Sequence, residues 1–318
     1  MVKSYKLYIK VPGTSANLGP GFDVLGLALK IYNEFTFEFS KKSSYKIQLH
    51  NGGIPPFEPE DDLVRFSYLK YFKHFLDSVE PLPYDVTMKL GLPIKGGLGS
   101  SASAVVAGFT AAFHIHKQFF KKKKLPTESQ FLYELALLEG HPDNTTPAYL
   151  GGFILSFFEN GERLQYFKRI FPKNVSLFIL IPDAQVATIS SRKKLPEKYE
   201  VQDVVYNMSR VGTWIEFFNS KKFKHLQSAL NDRVHTPYRL KEFPFLNSII
   251  EKISQLDGGY SLSGSGPSIL IYSKKSNGKN FAKHLEVAIS ESMKQSKIPY
   301  YFGEVLPEPN GIDVKILT

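Results

Sequence analysis

The stretch that most constrains this chain is Pro93-Ile94-Lys95-Gly96-Gly97-Leu98-Gly99-Ser100-Ser101-Ala102-Ser103-Ala104. Glycines at 96, 97 and 99 and paired serines lead into small residues, Ala102 to Ala112, with the periodicity of a buried helix. Before the loop, Tyr84 to Leu90 alternates as a strand does. Strand, glycine loop and helix N-terminus together make an anion site. Glycine lets backbone N–H groups crowd toward a phosphate, and the first helical turn adds unpaired donors and a positive dipole end. Ser100 and Ser101 offer hydroxyls suited to phosphate oxygens or Mg²⁺. No Gly-Lys-[Ser/Thr] closes the loop, so it is not a Walker A site. Plain turn punctuation with a serine cap would explain a shorter version, but not three glycines and Ser-Ser together.

A chain of 318 residues has room for one large or two medium domains. Its net charge is +10, with lysines spread along the whole length, which describes a diffuse field rather than a nucleic-acid face. The dense run Lys121–Lys124, close before Pro126, reads as a solvated loop. Cysteine is absent, which excludes disulfides, thiolate zinc sites and a cysteine nucleophile. The first residues lack an apolar signal core, and no stretch reaches the roughly 18 apolar residues of a membrane span. A soluble, cytoplasmic protein without membrane or nucleic-acid partners is expected. His114 and His116 lie two apart on a helix and make a poor metal pair. Neither His-Glu-x-x-His nor Gly-x-Ser-x-Gly occurs, and no Rossmann glycine pattern follows a first strand.

Residues 5–11 read as a strand that runs into a polar loop, Pro12-Gly13-Thr14-Ser15-Ala16-Asn17-Leu18-Gly19-Pro20-Gly21-Phe22-Asp23. Asn17 and Asp23 sit where such a loop can aim both at one ligand. Strands are expected at Ile31–Phe39 and Tyr45–His50, and a helix from Asp61 to Phe75. A helix near Glu128–Glu139 ends at Gly140 and delivers His141-Pro142-Asp143-Asn144. Asn160-Gly161 reads as a hairpin turn between strands at Phe153–Phe158 and Leu164–Phe167. Val175–Ile181 reads as a buried strand, and helical patterns follow at 200–219, 222–231 and 242–256. Gly258–Ser268 holds a second glycine-serine loop, Ser263-Gly264-Ser265-Gly266, ahead of strand Ile269–Tyr272. A helix at 278–293 and a strand at 299–306 close a βαβ-type arrangement.

Pro-x-x-x-Gly-Leu-Gly-Ser-Ser resembles the signature loop of the GHMP small-molecule kinases. Together with the 12–23 segment, His-x-Asp-Asn and Ser-Gly-Ser-Gly-Pro, the likeness spans most of the chain and is greatest to homoserine kinases. The resemblance implies an α+β, two-domain GHMP kinase fold. Residues 1–160 would be the ATP-binding domain, ribosomal protein S5 domain 2-like with a left-handed βαβ element. Residues 161–318 would be a ferredoxin-like C-terminal domain. It also implies transfer of the γ-phosphoryl group of ATP to the side-chain hydroxyl of L-homoserine, a step of threonine biosynthesis, with Mg²⁺. ATP would meet Pro93, Lys95, Gly96, Gly97, Leu98, Gly99, Ser100, Ser101 and Ser103. Asp62 stands where the family carries an adenine-contacting Asn, and an aspartate there accepts but does not donate.

The metal would be held by Ser101 and by Glu134, in a Glu-Leu-Ala that matches the family's carboxylate. Substrate would be oriented by Asn17, Asp23 and His141, with Arg192 and Arg239 on its carboxylate. Asp143 and Asn144 would stand at the reacting hydroxyl, and Ser263, Gly264, Ser265 and Gly266 would pack near the phosphates. Two other readings stay open: another GHMP kinase, of mevalonate type, or a non-catalytic nucleotide-binding regulator. A carboxylate at Asp23 fits an ammonium group and has no use in a mevalonate site. Intact Ser100, Ser101, Glu134 and Asp143 speak against a regulator. A homodimer is equally open at this stage.

Overall fold

A computed structural model describes residues 5–159, 163–184 and 192–317. The expected turn at Asn160-Gly161 and the segment Thr188–Ser191 lie outside the described residues. Two sheets organise the chain. The first has seven strands in the order β11-β1-β2-β4-β3, with β5 on β2 and β6 on β5. Its members are β1 (Tyr5–Ala16), β2 (Leu25–Phe39), β3 (Ile47–Leu49), β4 (Tyr84–Leu90), β5 (Phe153–Glu159), β6 (Arg163–Arg169) and β11 (Asp313–Leu317).

β2 is long enough to serve two neighbours. Its end, Asn33–Phe39, pairs with β4, and its start, Leu25–Leu27, pairs with β5. β1 runs past the expected end at residue 11 because a register shift at Pro12/Gly13 lets Gly13–Ala16 pair with Gly26–Leu29. That irregularity accommodates the proline, which cannot donate to a regular ladder. β3 and β4 are parallel, joined across the helix α1 (Leu63–Phe75).

On this sheet lie α1, α2 (Ser100–Phe119), α3 (Glu128–Glu139) and α4 (Pro142–Leu150). Leu7, Ile9, Val11, Phe35, Phe37 and Phe39 face Tyr68, Tyr71, Val105, Val106 and Phe109 in one core. Small residues of α2 allow close approach: a Cβ on Gly108 would lie 2.0 Å from the Val64 carbonyl oxygen.

The second sheet, β10-β7-β9-β8, is antiparallel and comprises β7 (Val175–Pro182), β8 (Gly259–Leu262), β9 (Ile269–Lys274) and β10 (Tyr300–Val305). Between β7 and β8 come α5 (Val201–Ser220), α6 (Phe223–Ala229), α7 (Thr236–Arg239) and α8 (Asn247–Gln255); α9 (Gly278–Ser296) joins β9 to β10. The order is β-α-β-β-α-β, that of a ferredoxin-like unit. Both faces of this sheet are covered. Phe178 and Leu180 of β7 pack with Ile249, Phe281 and Leu285, while Leu177 and Ile179 pack with Trp214, Phe217 and Leu27. This explains why β7 reads as an unbroken apolar run. The sheets do not divide at one point in the chain, because β6 and β11 both join the first.

Candidate active site

The glycine loop sits between the two sheets. The Thr14 N–H donates to the Leu98 carbonyl at 3.1 Å, and Ser263 Oγ donates to the Gly97 carbonyl at 2.7 Å. Gly97 has φ +76, and a Cβ there would lie 2.3 Å from the Ser263 carbonyl oxygen. Only glycine fits so close to the second loop. Gly99, φ +68, caps α2 with no side-chain acceptor, so the first-turn N–H groups are left without a side-chain cap. Uncapped first-turn donors and a positive dipole end are what an anion site at this loop requires.

Not every loop residue faces this site. Ser103 is fully buried; its Oγ donates to the Ser100 carbonyl and accepts from Asn33 Nδ2. Its hydroxyl shapes the loop from behind. Pro93 packs on Gly96, where a Cβ would lie 2.7 Å from Pro93 Cγ, and Lys95 is exposed at φ +58. Asp62 is buried, and its Oδ1 accepts from the N–H groups of Val64 and Arg65, capping α1. Burial raises its pKa, against the pull of those two N–H groups and of Arg65.

The two glutamates of α3 separate clearly. Glu134 lies 3.4 Å from His74 Nε2, whereas Glu139 accepts from Ser101 Oγ at 3.3 Å. The structure therefore brings Glu139, not Glu134, to the serine of the loop. Helix phase is the reason: five residues turn a side chain by about 140°, so only one of the two can face α2. Burial pushes the Glu139 carboxyl up, and nearby Asp143 adds to it, while His141 and Ser101 oppose the rise.

Gly140, φ +84, ends α3, and His141 is the N-cap residue of α4, with Pro142 and Asp143 in its first turn. His141 Nδ1 donates to Asp143 Oδ1 at 2.5 Å. Burial resists a charge on His141, but the hydrogen bond to Asp143 and the charges of Asp143, Asp23 and Glu139 outweigh it and raise its pKa. Asp143 is 1% exposed, and the ligand atoms of Asp23, His141 and Asp143 lie within 4.8 Å of one another. Asn144 is turned to the glycine loop instead: its Oδ1 accepts from Thr14 Oγ1 at 2.8 Å, beside Gly99.

The β1–β2 loop lies across this cluster. Asn17, Leu18 and Asp23 have φ of 71°, 46° and 61°. Asn and Asp tolerate the left-handed region, but leucine pays in strain and must be held by its surroundings. Leu18 is fully buried, and its carbonyl accepts from Trp214 Nε1 at 3.2 Å. Asn17 accepts from the Asp23 N–H and donates through Nδ2 to the Gly264 carbonyl at 3.0 Å. Arg239 donates to the same carbonyl at 2.7 Å. Arg192 grips Asp23 with two parallel bonds of 2.8 Å. Both guanidinium groups lie over the Phe22 ring, at 5.1 and 5.2 Å. Arg239 is 4% exposed and its Nε has no hydrogen-bond partner. Burial and then the repulsion of Arg192 push its pKa down, with Asp23, Asp143 and Asp232 opposing.

Sequence reasoning missed Thr14 and Phe22 as site residues, ranked Glu139 behind Glu134, and missed a buried bracket behind the loop. Asp232 accepts from Asn207 Nδ2 and from the N–H groups of Val234, His235 and Thr236, fixing the start of α7. His235 Nε2 meets the Gly19 carbonyl at 2.8 Å. The spacing Asp-x-x-His-x-Pro-x-Arg, with an acid four residues before Thr236, was the available signal.

The residue range 65–152 matches the GHMP kinases N-terminal domain, and 215–286 matches the GHMP kinases C-terminal domain. The homoserine kinase of Aquifex aeolicus is 36% identical over 268 residues, covering 82% of this chain and 84% of that protein. The homoserine kinase of Caldanaerobacter subterraneus is 34% identical over 309 residues, 96% of this chain and 94% of the relative. The chain belongs to the homoserine kinase family of GHMP kinases. It is accordingly an ATP-dependent small-molecule kinase. The crystal structure of homoserine kinase from Cytophaga hutchinsonii superposes with TM-score 0.81 at 25% identity, covering 99% of this chain and 98% of that one. Among the described residues no helix is long and apolar enough to cross a membrane.

Proposed function

We propose that the chain phosphorylates L-homoserine on its side-chain hydroxyl with ATP, in the cytoplasm. The observation that carries the reading is a charge set made for a zwitterion, facing uncapped helix donors: Asp23 for an ammonium group, Arg192 and Arg239 for a carboxylate. We divide the chain into a nucleotide-binding unit, residues 1–160, and a second unit, 161–318, whose last strand returns to the first. The N–H groups of 96–101 and the α2 dipole hold the phosphates. Ser101 Oγ and the Glu139 carboxylate are hard oxygen donors side by side at the loop, which fits Mg²⁺. When bound, the ion offsets charge on the phosphates.

Asp23 and Arg192 satisfy one another in the described state, so a bound zwitterion replaces each partner with a charge of the same sign. Asn17 holds the loop that presents Asp23, and Arg239 lies over the Phe22 ring beside Arg192. Asp143, held by His141, orients the hydroxyl. The hydroxyl oxygen forms the new P–O bond as the bond from the γ-phosphorus to the bridging oxygen breaks. Asp143 takes the hydroxyl proton, and ADP leaves. Positioning carries most of the catalysis, since the transition state of phosphoryl transfer is loose. The test is coupled ADP release over homoserine, mevalonate, galactose and shikimate. Turnover with homoserine alone is expected; turnover with mevalonate alone refutes the substrate reading, and none with any refutes the catalytic one.

A further inference from the structure

The β1–β2 loop turns into the site through backbone that few residues adopt. Asn17, Leu18 and Gly19 have φ of 71°, 46° and 82°, three left-handed residues in succession. Left-handed residues ordinarily occur one at a time, because a Cβ there crowds the following carbonyl, and a run of them lasts only where its surroundings hold it. Glycine is free of that cost and asparagine bears it, but leucine does not. Asp23, at the far end of the loop, has φ 61°, and its N–H donates to Asn17 Oδ1 at 3.1 Å. The position of Asp23 therefore follows the turn at 17–19.

The hold comes from the chain between β7 and β8, with one bond to each of three successive carbonyls. Leu18 accepts from Trp214 Nε1 at 3.2 Å, Gly19 from His235 Nε2 at 2.8 Å and Pro20 from Asn207 Nδ2 at 3.3 Å. All three donors are buried, and His235 is the most costly to keep. It is 0% exposed, and its Nδ1 has no hydrogen-bond partner among the described residues. An apolar ring would avoid that loss, so the imidazole is explained only by what its other nitrogen does. A carbonyl only accepts, which puts the proton on Nε2, and Asp232 Oδ2, 3.3 Å from the same nitrogen, favours it there. Burial lowers the His235 pKa, with Asp232 opposing and Arg239 adding, and keeps the ring neutral. That ring packs against Phe22, centroids 5.4 Å apart, and Phe22 in turn carries the guanidinium groups of Arg192 and Arg239.

We propose, given the assignment of Asp23 to an ammonium group, that Trp214, His235 and Asn207 form a clasp that fixes the left-handed turn and so positions Asp23 for the amino-acid acceptor, with His235 as its central positioning residue. Being fully buried, His235 acts through Gly19 and Phe22 rather than on the substrate. Asn207 and Asp232 brace the clasp from behind: Asn207 Nδ2 also donates to Asp232 Oδ1, and Asn207 Oδ1 accepts from the Arg233 N–H. The glycine loop is tied instead to Thr14 and Ser263, so the clasp bears on the acceptor and not on ATP.

Two variants separate donor from ring. His235→Phe keeps a ring beside Phe22 and removes the donor, whereas His235→Gln keeps an N–H donor at the reach of Nε2. In His235→Phe the KM for homoserine should rise roughly tenfold, with kcat and the KM for ATP within about twofold of the parent. Hydrogen exchange of the segment 17–25 should quicken roughly tenfold while the core strands stay protected. His235→Gln should bring both readouts close to the parental values. Trp214→Phe, which removes the bond to Leu18 and leaves a ring in the core, should reproduce the pattern of His235→Phe and decides the matter where that variant does not fold. Unchanged exchange in 17–25, or quickened exchange with an unchanged homoserine KM, overturns the clasp. So does an equal rise in both KM values or in exchange throughout the chain, the mark of general destabilisation. Failure of the homoserine assignment is a separate result, seen in the parent's own turnover, and exchange in 17–25 then still decides whether the clasp holds the turn.

Discussion

If the Asp23–Arg192 fork receives the substrate zwitterion as proposed, it gives the reaction a selectivity that can be measured on the protein as it stands. Replacing Asp23 by Asn frees Arg192 from its partner and removes the acceptor for an ammonium group. Homoserine then loses one charged hydrogen bond, about 1.5–3 kcal/mol, a factor of roughly 10 to 150 in kcat/KM before the cost of opening the fork is counted. 4-Hydroxybutyrate, which is homoserine without the ammonium group, should behave oppositely. In the parent it must break the fork and leave Asp23 alone; in the variant Arg192 is already free. The fork is partly solvated, at 47% and 30% side-chain exposure, so breaking it costs only about 1 kcal/mol. Both acceptors are spared that cost in the variant, so the analogue should gain about fivefold, homoserine should fall by a net factor of roughly 2 to 30, and the preference for homoserine should shrink roughly 10- to 150-fold. Steady-state kinetics of both acceptors at saturating ATP decide it. A 4-hydroxybutyrate kcat/KM that stays at the parental value or falls would show that the substrate does not displace the fork.

Glu139→Gln should lower kcat at least tenfold at saturating Mg²⁺ while Glu134→Gln stays near the parent, because only Glu139 meets Ser101; the reverse order in the same assay would return the metal role to Glu134. His141 should make stability depend on pH. Its folded pKa is raised above 6.5, so its contribution is complete below about 6.5 and is lost as pH rises through the folded value. His141→Asn should flatten that decline in melting temperature, and an unchanged slope would assign it to other groups. Asp62→Ala should cost about 1 kcal/mol through loss of the α1 cap, and Asp62→Asn only a few tenths, by urea unfolding. Equal losses in both variants would put the carboxylate's charge, not its capping geometry, in control.

What the sequence revealed divides by the range of the interactions involved. The glycine loop was legible because its physics is local: Gly97 and Gly99 need positive φ, and a helix start needs only the next few residues. The β7 run was legible for the same reason, whereas the helix that begins at Pro142 was not foreseen. β1 was read too short because Pro12-Gly13 are turn residues by propensity. Pairing with Gly26–Leu29, a tertiary term, overrode it. β11 was not foreseen at all: Asp313 and Lys315 in a five-residue strand at the sheet edge look like tail. The Asp23–Arg192 fork joins positions 169 apart, and only family resemblance brought those residues to one site.

Glu139 shows where local reasoning stops. Periodicity fixed that Glu134 and Glu139 point different ways, and nothing in the helix itself says which way is inward to the loop. That depends on how α3 crosses α2, which is set by Phe131, Leu132, Leu135 and Ala136 packing in the core with Phe109 and Ala112. With those four inward, Glu134 is left beside His74, and the last residue of the helix is the one that reaches Ser101. Gly140 then turns the chain at once, so that His141 and Asp143 follow on the same side. In the proposed reading, the metal carboxylate Glu139 and the proton acceptor Asp143 are thus four positions apart, across a single left-handed glycine. Lengthening that turn by one residue should separate the two functions and reduce turnover with little change in ATP affinity.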